Sequence, residues 1–175
     1  MNAKQIQLIE TLYKALPSNK LPYFTELIDT LVELGYKPYK RATADFALDF
    51  KHKETKKPLS QVGVKKTGGW FRMKYSSCKD IPERFIVALH NDDASRRTLK
   101  NGTPQQLNEP KNFCGNCGDI CTSGGWAYVL KREDGSELRR CGAYPPQIPI
   151  IDKQDVIDIK RLMLEQHKYL MEKWA

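Results

Sequence analysis

Residues 62–75 read VGVKKTGGWFRMKY, and this stretch decides the class of fold. Val62 and Val64 open an alternating run, the period of a strand with one buried face. Thr67-Gly68-Gly69 supplies turn chemistry, and Trp70 to Tyr75 runs back. Two β-rich runs joined by a short glycine-containing turn predict an antiparallel hairpin.

Upstream of the hairpin, Phe46, Leu48 and Phe50 alternate with Asp45, Ala47 and Asp49, a second half-buried strand. Residues 52–60 (HKETKKPLS) between them read as an exposed loop. Further back the period changes to that of helices. Ile6, Ile9, Tyr13 and Leu16 form one stripe over residues 4–16, with Leu8 and Leu12 beside it, and Pro17 stops the helix. Ser18 or Asn19 can cap a second helix whose inner face is Leu21, Phe24, Leu27, Ile28, Leu31 and Leu34, with Gly35 at its end.

Downstream, Asp80 and Pro82 can open a short helix that turns Phe85, Ile86 and Leu89 inward. Residues 91–112 are polar and irregular and read as a long surface loop. Trp126 to Leu130 and Glu137 to Cys141 flank Asp134-Gly135, the strongest short hairpin signal in the chain. A proline-marked connector (Pro145, Pro146, Pro149) leads to a last helix of about 20 residues opened by Asp152 and Asp155. Its inner face is Val156, Ile159, Met163 and Leu170, widened by Ile157, Leu164 and Met171. The expected architecture is a single α+β domain over 1–175. It comprises an N-terminal helical hairpin, a curved antiparallel sheet of about five strands, a zinc-stapled β-hairpin and a long C-terminal helix.

The staple rests on cysteine spacing. Four of the five cysteines fall within 28 positions, in the pattern C-x2-C-x3-C-x19-C. Cys114-Gly115-Asn116-Cys117-Gly118 is a knuckle that turns two thiolates to one side, and the second hairpin returns Cys141-Gly142 toward it. Cys114, Cys117, Cys121 and Cys141 are the expected ligands of a structural zinc in a loop and hairpin spanning 112–143. Cys78, at the end of the first hairpin, is the alternative to Cys121. Four thiolates leave no open coordination position, so this zinc serves folding and not catalysis. A redox C-x-x-C would need a helix start after its first cysteine, and Gly-Asn-Cys-Gly-Asp does not read as one.

The chain carries 29 Lys and Arg against 21 Asp and Glu, a formal charge of +8. In the first hairpin Lys65, Lys66, Arg72 and Lys74 interleave with Trp70, Phe71 and Tyr75, while Trp126, Lys131, Arg132, Arg139 and Arg140 mark the second. Cations for phosphates beside aromatic rings for stacking suit single-stranded nucleic acid. A two-faced strand, aromatic inward and basic outward, produces the same pattern. Asp45, Asp49 and Lys51 loosely echo the acid-acid-lysine layout of metal-dependent nucleases, but a second strand with a matching acid-x-lysine is not evident. His52, His90 and His167 have no partner at catalytic spacing, and no Walker loop, nucleophile elbow or H-E-x-x-H occurs. No apolar run reaches the ~20 residues of a membrane span, and the first residues lack a signal peptide, so cytoplasmic residence is expected.

Taken together, VGVKKTGGWFRMKYSSC, CGNCG, ELRRCG and IPIIDKQDVIDIKRLMLEQ resemble the YdhG-like group of small bacterial α+β proteins, a domain of unknown function. The resemblance covers residues 20–170 in layout and implies terminal helices on a curved antiparallel sheet. It transfers no active-site residue, and the cysteine cluster departs from the group. The functional expectation is a non-catalytic, zinc-stabilised binding module for a small-molecule or protein ligand. The alternatives are a nucleic-acid-binding protein using the basic hairpins and a metal-dependent nuclease.

Overall fold

The computed structural model describes residues 1–89, 128–131, 135, 137–140 and 145–174. Two helices come first, α1 (Ala3–Ala15) and α2 (Leu21–Glu33). Strands β1 (Tyr36–Lys40), β2 (Ala47–His52), β3 (Pro58–Lys65) and β4 (Gly68–Met73) follow. Next come helix α3 (83–89), strands β5 (Tyr128–Lys131), β6 (Glu137–Arg140) and β7 (Gln147–Ile148), and helix α4 (Lys153–Trp174). The main sheet is antiparallel with five strands in the order β1-β2-β3-β4-β7, and β5 pairs with β6 alone.

Helix α1 starts on a reciprocal cap. Gln5 N–H donates to Asn2 Oδ1 at 3.0 Å while Asn2 N–H donates back to Gln5 Oε1 at 3.1 Å. Its buried stripe is Gln5, Ile9, Leu12 and Leu16, whereas Ile6, expected inside, is 46% exposed. Helix α2 buries Phe24, Leu27, Ile28 and Leu31 as the periodicity predicts. Neither Ser18 nor Asn19 caps it. The chain makes one more turn, the N-cap falls on Lys20 without a side-chain cap, and the Lys20 ammonium donates instead to the carbonyls of Ile150 and Ile151 at 2.8 and 3.2 Å. Gly35 ends the segment at φ +86°, the left-handed position that glycine fills without strain.

The sheet differs from the sequence expectation at three places. Strand β1 was not legible because Pro38 and two lysines weaken its pattern. Proline is admissible there because β1 is an edge strand. The run 52–60 is not all exposed loop. His52 closes β2, β3 begins at Pro58, and an irregularity in register between Phe50 and Lys51 accommodates Leu59, which is fully buried. The first hairpin turns at Lys66-Thr67, since Lys65 already pairs with Gly68. Gly68, at φ +119°, follows the turn as the left-handed residue. Gly69 has another task. A Cβ there would lie 2.4 Å from Leu16 Cδ2 and 2.9 Å from the Phe24 ring, so its bare backbone is what lets α1 and α2 close on the sheet.

The core lies between the helices and one face of the sheet. Leu48, Phe50, Val62, Phe71 and Met73 point into it at zero exposure, joined by Leu12, Phe24, Leu27, Ile28 and Leu31 of the hairpin and Ile159, Leu162 and Met163 of α4. Phe85 and Leu89 of α3 are also fully buried, and the Tyr75 hydroxyl donates to the Phe85 carbonyl at 3.3 Å. Asp80 does not cap α3. It adopts φ +49°, and the Pro82 carbonyl accepts from the N–H groups of Phe85 and Ile86. Asp152 and Asp155 cap α4 as expected. Asp155 N–H donates to Asp152 Oδ1 at 3.1 Å, and Asp155 Oδ2 accepts from Ile151 and Asp152 N–H at 2.6 and 3.2 Å. Burial opposes charge on Asp155, but these amides and the Arg84 guanidinium outweigh it and hold its carboxyl below the usual range. Ile157 and Leu164, expected to widen the inner face of α4, stand 50% and 52% exposed, because the inner arc is already filled by Val156, Ile159, Leu162, Met163 and Leu170. No helix among the described residues is long and apolar enough to cross a membrane.

Candidate functional site

Strand alternation sends one set of side chains inward and leaves the other on the outer face of the sheet. That outer set is Lys37 and Tyr39 from β1, Asp49 and Lys51 from β2, Gln61 and Gly63 from β3, Trp70 and Arg72 from β4, and Gln147 from β7. The pairing lines them up in rows. Lys37 stands opposite Lys51, Tyr39 opposite Asp49, Asp49 opposite Gln61, Gln61 opposite Arg72, Gly63 opposite Trp70, and Arg72 opposite Gln147. Inner-face neighbours such as Leu48, Phe50, Val62 and Phe71 are fully buried, whereas Lys37, Asp49, Lys51, Gln61, Trp70 and Arg72 are half-buried.

The indole of Trp70 lies across Gly63. A Cβ on Gly63 would come within 2.4 Å of the ring and 2.9 Å of the Phe46 carbonyl, so only glycine lets the indole lie against the sheet. The Arg72 guanidinium sits 5.2 Å from the centroid of the same ring, a cation–π contact that fixes its plane. Trp70 Nε1 and Arg72 Nε are both shielded from solvent and have no hydrogen-bond partner among the described residues. A buried N–H without an acceptor costs roughly 1–3 kcal/mol, and here two stand side by side. Toward the β1 edge, Lys51 lies 5.5 Å from the Tyr39 ring centroid, and Lys37 faces Lys51 directly, an arrangement that is unfavourable between like charges. The one carboxylate in the rows, Asp49, accepts from Arg41 Nη1 at 3.3 Å.

The sequence candidates of the first hairpin are therefore divided. Lys65 and Lys66 are exposed at the turn, and Trp70 and Arg72 share the outer face. Phe71 is fully buried among the core side chains, which removes its ring from any surface ligand, and Lys74, beyond the end of β4, is only 5% exposed. Arg139 and Arg140 fall on β6. Trp126 and the cysteines Cys114, Cys117, Cys121 and Cys141 lie outside the described residues, as do His90 and the polar run 91–112. Cys78 is held against α4, where its thiol donates to the Leu162 carbonyl at 3.2 Å. Burial, with Glu165 nearby, pushes that thiol up to about 12, away from the thiolate that zinc takes. What sequence reasoning missed is the contribution of β1 and β2. Lys37, Tyr39 and Lys51 reach the hairpin's outer face only through strand order, where they join Gln61 of β3.

Two other places bring polar side chains together. Around Asp49 the cross-strand neighbours are Tyr39 and Gln61, Asp45 is exposed ahead of β2, and no group of three metal-binding side chains assembles among the described residues. A cleft of about 540 Å³ opens between α2 and α4, lined among others by Thr25, Glu26, Asp29, Glu33 and Lys160. It holds neither Trp70 nor Phe71, and its Glu26 is already paired with Lys153 and Lys160. The histidines that looked isolated in sequence meet in space. The ring centroids of His52 and His167 are 5.8 Å apart, and the hydroxyl of the buried Tyr36 is 3.2 Å from His167 Nδ1. His52 Nδ1 accepts from Thr55 N–H at 3.5 Å, so its proton in the neutral form is on Nε2. No protein-family model, curated protein or solved structure matches the chain.

Proposed function

We propose that this protein is a non-catalytic binding module that takes single-stranded nucleic acid on the outer face of its five-stranded sheet. One observation carries the reading. The outer face gathers cations and aromatic rings in register, Lys37, Tyr39 and Lys51 toward one edge and the Trp70–Arg72 pair toward the other. A polyanion relieves the repulsion of the facing Lys37 and Lys51. Tyr39 and the guanidinium–indole stack of Arg72 on Trp70 offer flat surfaces on which bases lie at low cost in sequence preference. The net charge of +8 adds long-range attraction.

The binding role is expected to operate beside a structural zinc on Cys114, Cys117, Cys121 and Cys141. That part of the proposal is supported by the spacing of the four residues and by the engagement of the fifth cysteine, Cys78, with α4.

Titration of a labelled single-stranded octamer over a series of salt concentrations tests the binding reading. Affinity falls linearly on a log–log plot as salt rises, and Lys37→Glu with Lys51→Glu weakens it and lowers the slope by about one unit per lost phosphate contact. Absence of binding at low salt, or a double variant that binds as the wild type does, ends the proposal.

A further inference from the structure

We infer that the row Asp49–Gln61–Arg72 selects guanine in the bound strand, an inference that rests on the binding proposal above and names its preferred base. The three residues are consecutive cross-strand partners on β2, β3 and β4, so they form one line across the sheet. Their chemistry runs in one direction. The Asp49 carboxylate only accepts, the Gln61 amide both accepts and donates, and the Arg72 guanidinium only donates. A base that fits must present donors at one end and acceptors at the other.

Guanine does so along its long edge. N1–H and N2–H₂ stand side by side as donors, O6 follows as an acceptor, and N7 closes the row as another. Asp49 takes the two N–H groups together, the Gln61 amide donates to O6, and Arg72 donates to N7 and O6, the commonest side-chain contact to guanine. Adenine and cytosine offer the carboxylate a single amino group in place of two adjacent donors. Uracil offers one N–H between two carbonyls, which bring oxygen against the carboxylate. Span decides between guanine and cytosine, whose donor–acceptor order runs the same way. Asp49 and Arg72 are two strand spacings apart, each about 4.8 Å, and the edge of a bicyclic base covers more of that distance than the edge of a single ring.

Both ends of the row are held before any ligand arrives. Arg41 Nη1 is 3.3 Å from Asp49 Oδ1, which fixes the carboxylate and leaves its remaining lone pairs available. The contact with the Trp70 ring fixes Arg72. Preorganised donors and acceptors lose little entropy on binding, so their hydrogen bonds count toward discrimination.

Fluorescence anisotropy with four labelled single-stranded RNA octamers tests this: U₈ and the repeats of UG, UC and UA, at low salt. Length and charge are equal, so the phosphate contribution is common and differences report the bases. The expected result is that the UG repeat binds about tenfold tighter than the other three, the size of one good bidentate base contact. Asp49→Asn, which puts an amide donor where guanine needs an acceptor, removes that preference. If that variant does not fold, Gln61→Ala reduces the preference instead. Equal affinity for all four octamers, or a UC repeat bound as tightly as the UG repeat, overturns the selectivity and leaves the binding proposal standing. No binding of any octamer overturns both.

Discussion

Gly63 and Trp70 are the residues on which the outer face depends, and each is intelligible only through the other. The glycine has no turn to make; it is mid-strand, and its missing Cβ is the room the indole occupies. His52 and His167 are a similar pair, separated by more than a hundred residues in the chain and brought ring to ring by the packing of α4 on β1 and β2. Burial and the neighbouring His52 hold His167 below its ordinary value of 6.5. The folded state therefore binds fewer protons here than the unfolded chain. The stabilisation is present in full above the unfolded value of 6.5 and is lost as pH falls through the lower folded value. Urea unfolding at pH 7.5 and pH 5.5 is expected to give a smaller free energy at the acid pH, and His167→Gln is expected to flatten part of that difference. A variant with the same pH dependence as the wild type would show that the histidine pair is not its source.

At the scale of elements, periodicity gave the helical hairpin, the first β-hairpin and the C-terminal helix, because each presents an apolar stripe or alternation long enough to detect. It misjudged details that depend on neighbours. Ile157 and Leu164 are apolar on α4 but lie beyond the arc that the sheet and α2 cover. The Thr67-Gly68-Gly69 stretch has turn composition, yet the turn uses Thr67 and Gly68, while Gly69 is the contact point for Leu16 and Phe24. Gly69→Ala therefore tests the docking of α1 and α2 on β4. The new methyl group collides with two buried side chains, and overpacking of this kind costs about 1–3 kcal/mol. Thermal or denaturant unfolding is expected to show that loss. An unchanged midpoint would mean the helices do not close on the sheet at Gly69 as described.

Across the whole molecule, the zinc proposal and the sheet surface make separable predictions. Purified protein is expected to contain one zinc per chain by elemental analysis, and Cys117→Ser to lose both the metal and the cooperative unfolding of the β5–β6 hairpin region. A metal-free protein that unfolds cooperatively would remove the staple without touching the sheet-face proposal. The amino-acid pattern by itself determined the α+β class, the helices α1, α2 and α4, and the two hairpins, because these are local: a face must alternate or recur within a few residues to be buried at all. It also singled out Trp70 and Arg72 as binding candidates. Only the tertiary structure decided that Phe71 belongs to the core, that β1 is an edge strand despite Pro38, and that Lys37, Tyr39, Asp49 and Gln61 line up with Arg72 on one surface. The physical reason is strand register. Which residues stand opposite one another is fixed by burying Leu48, Phe50, Val62 and Phe71 together beneath the helices, a condition that no single strand carries in its own sequence.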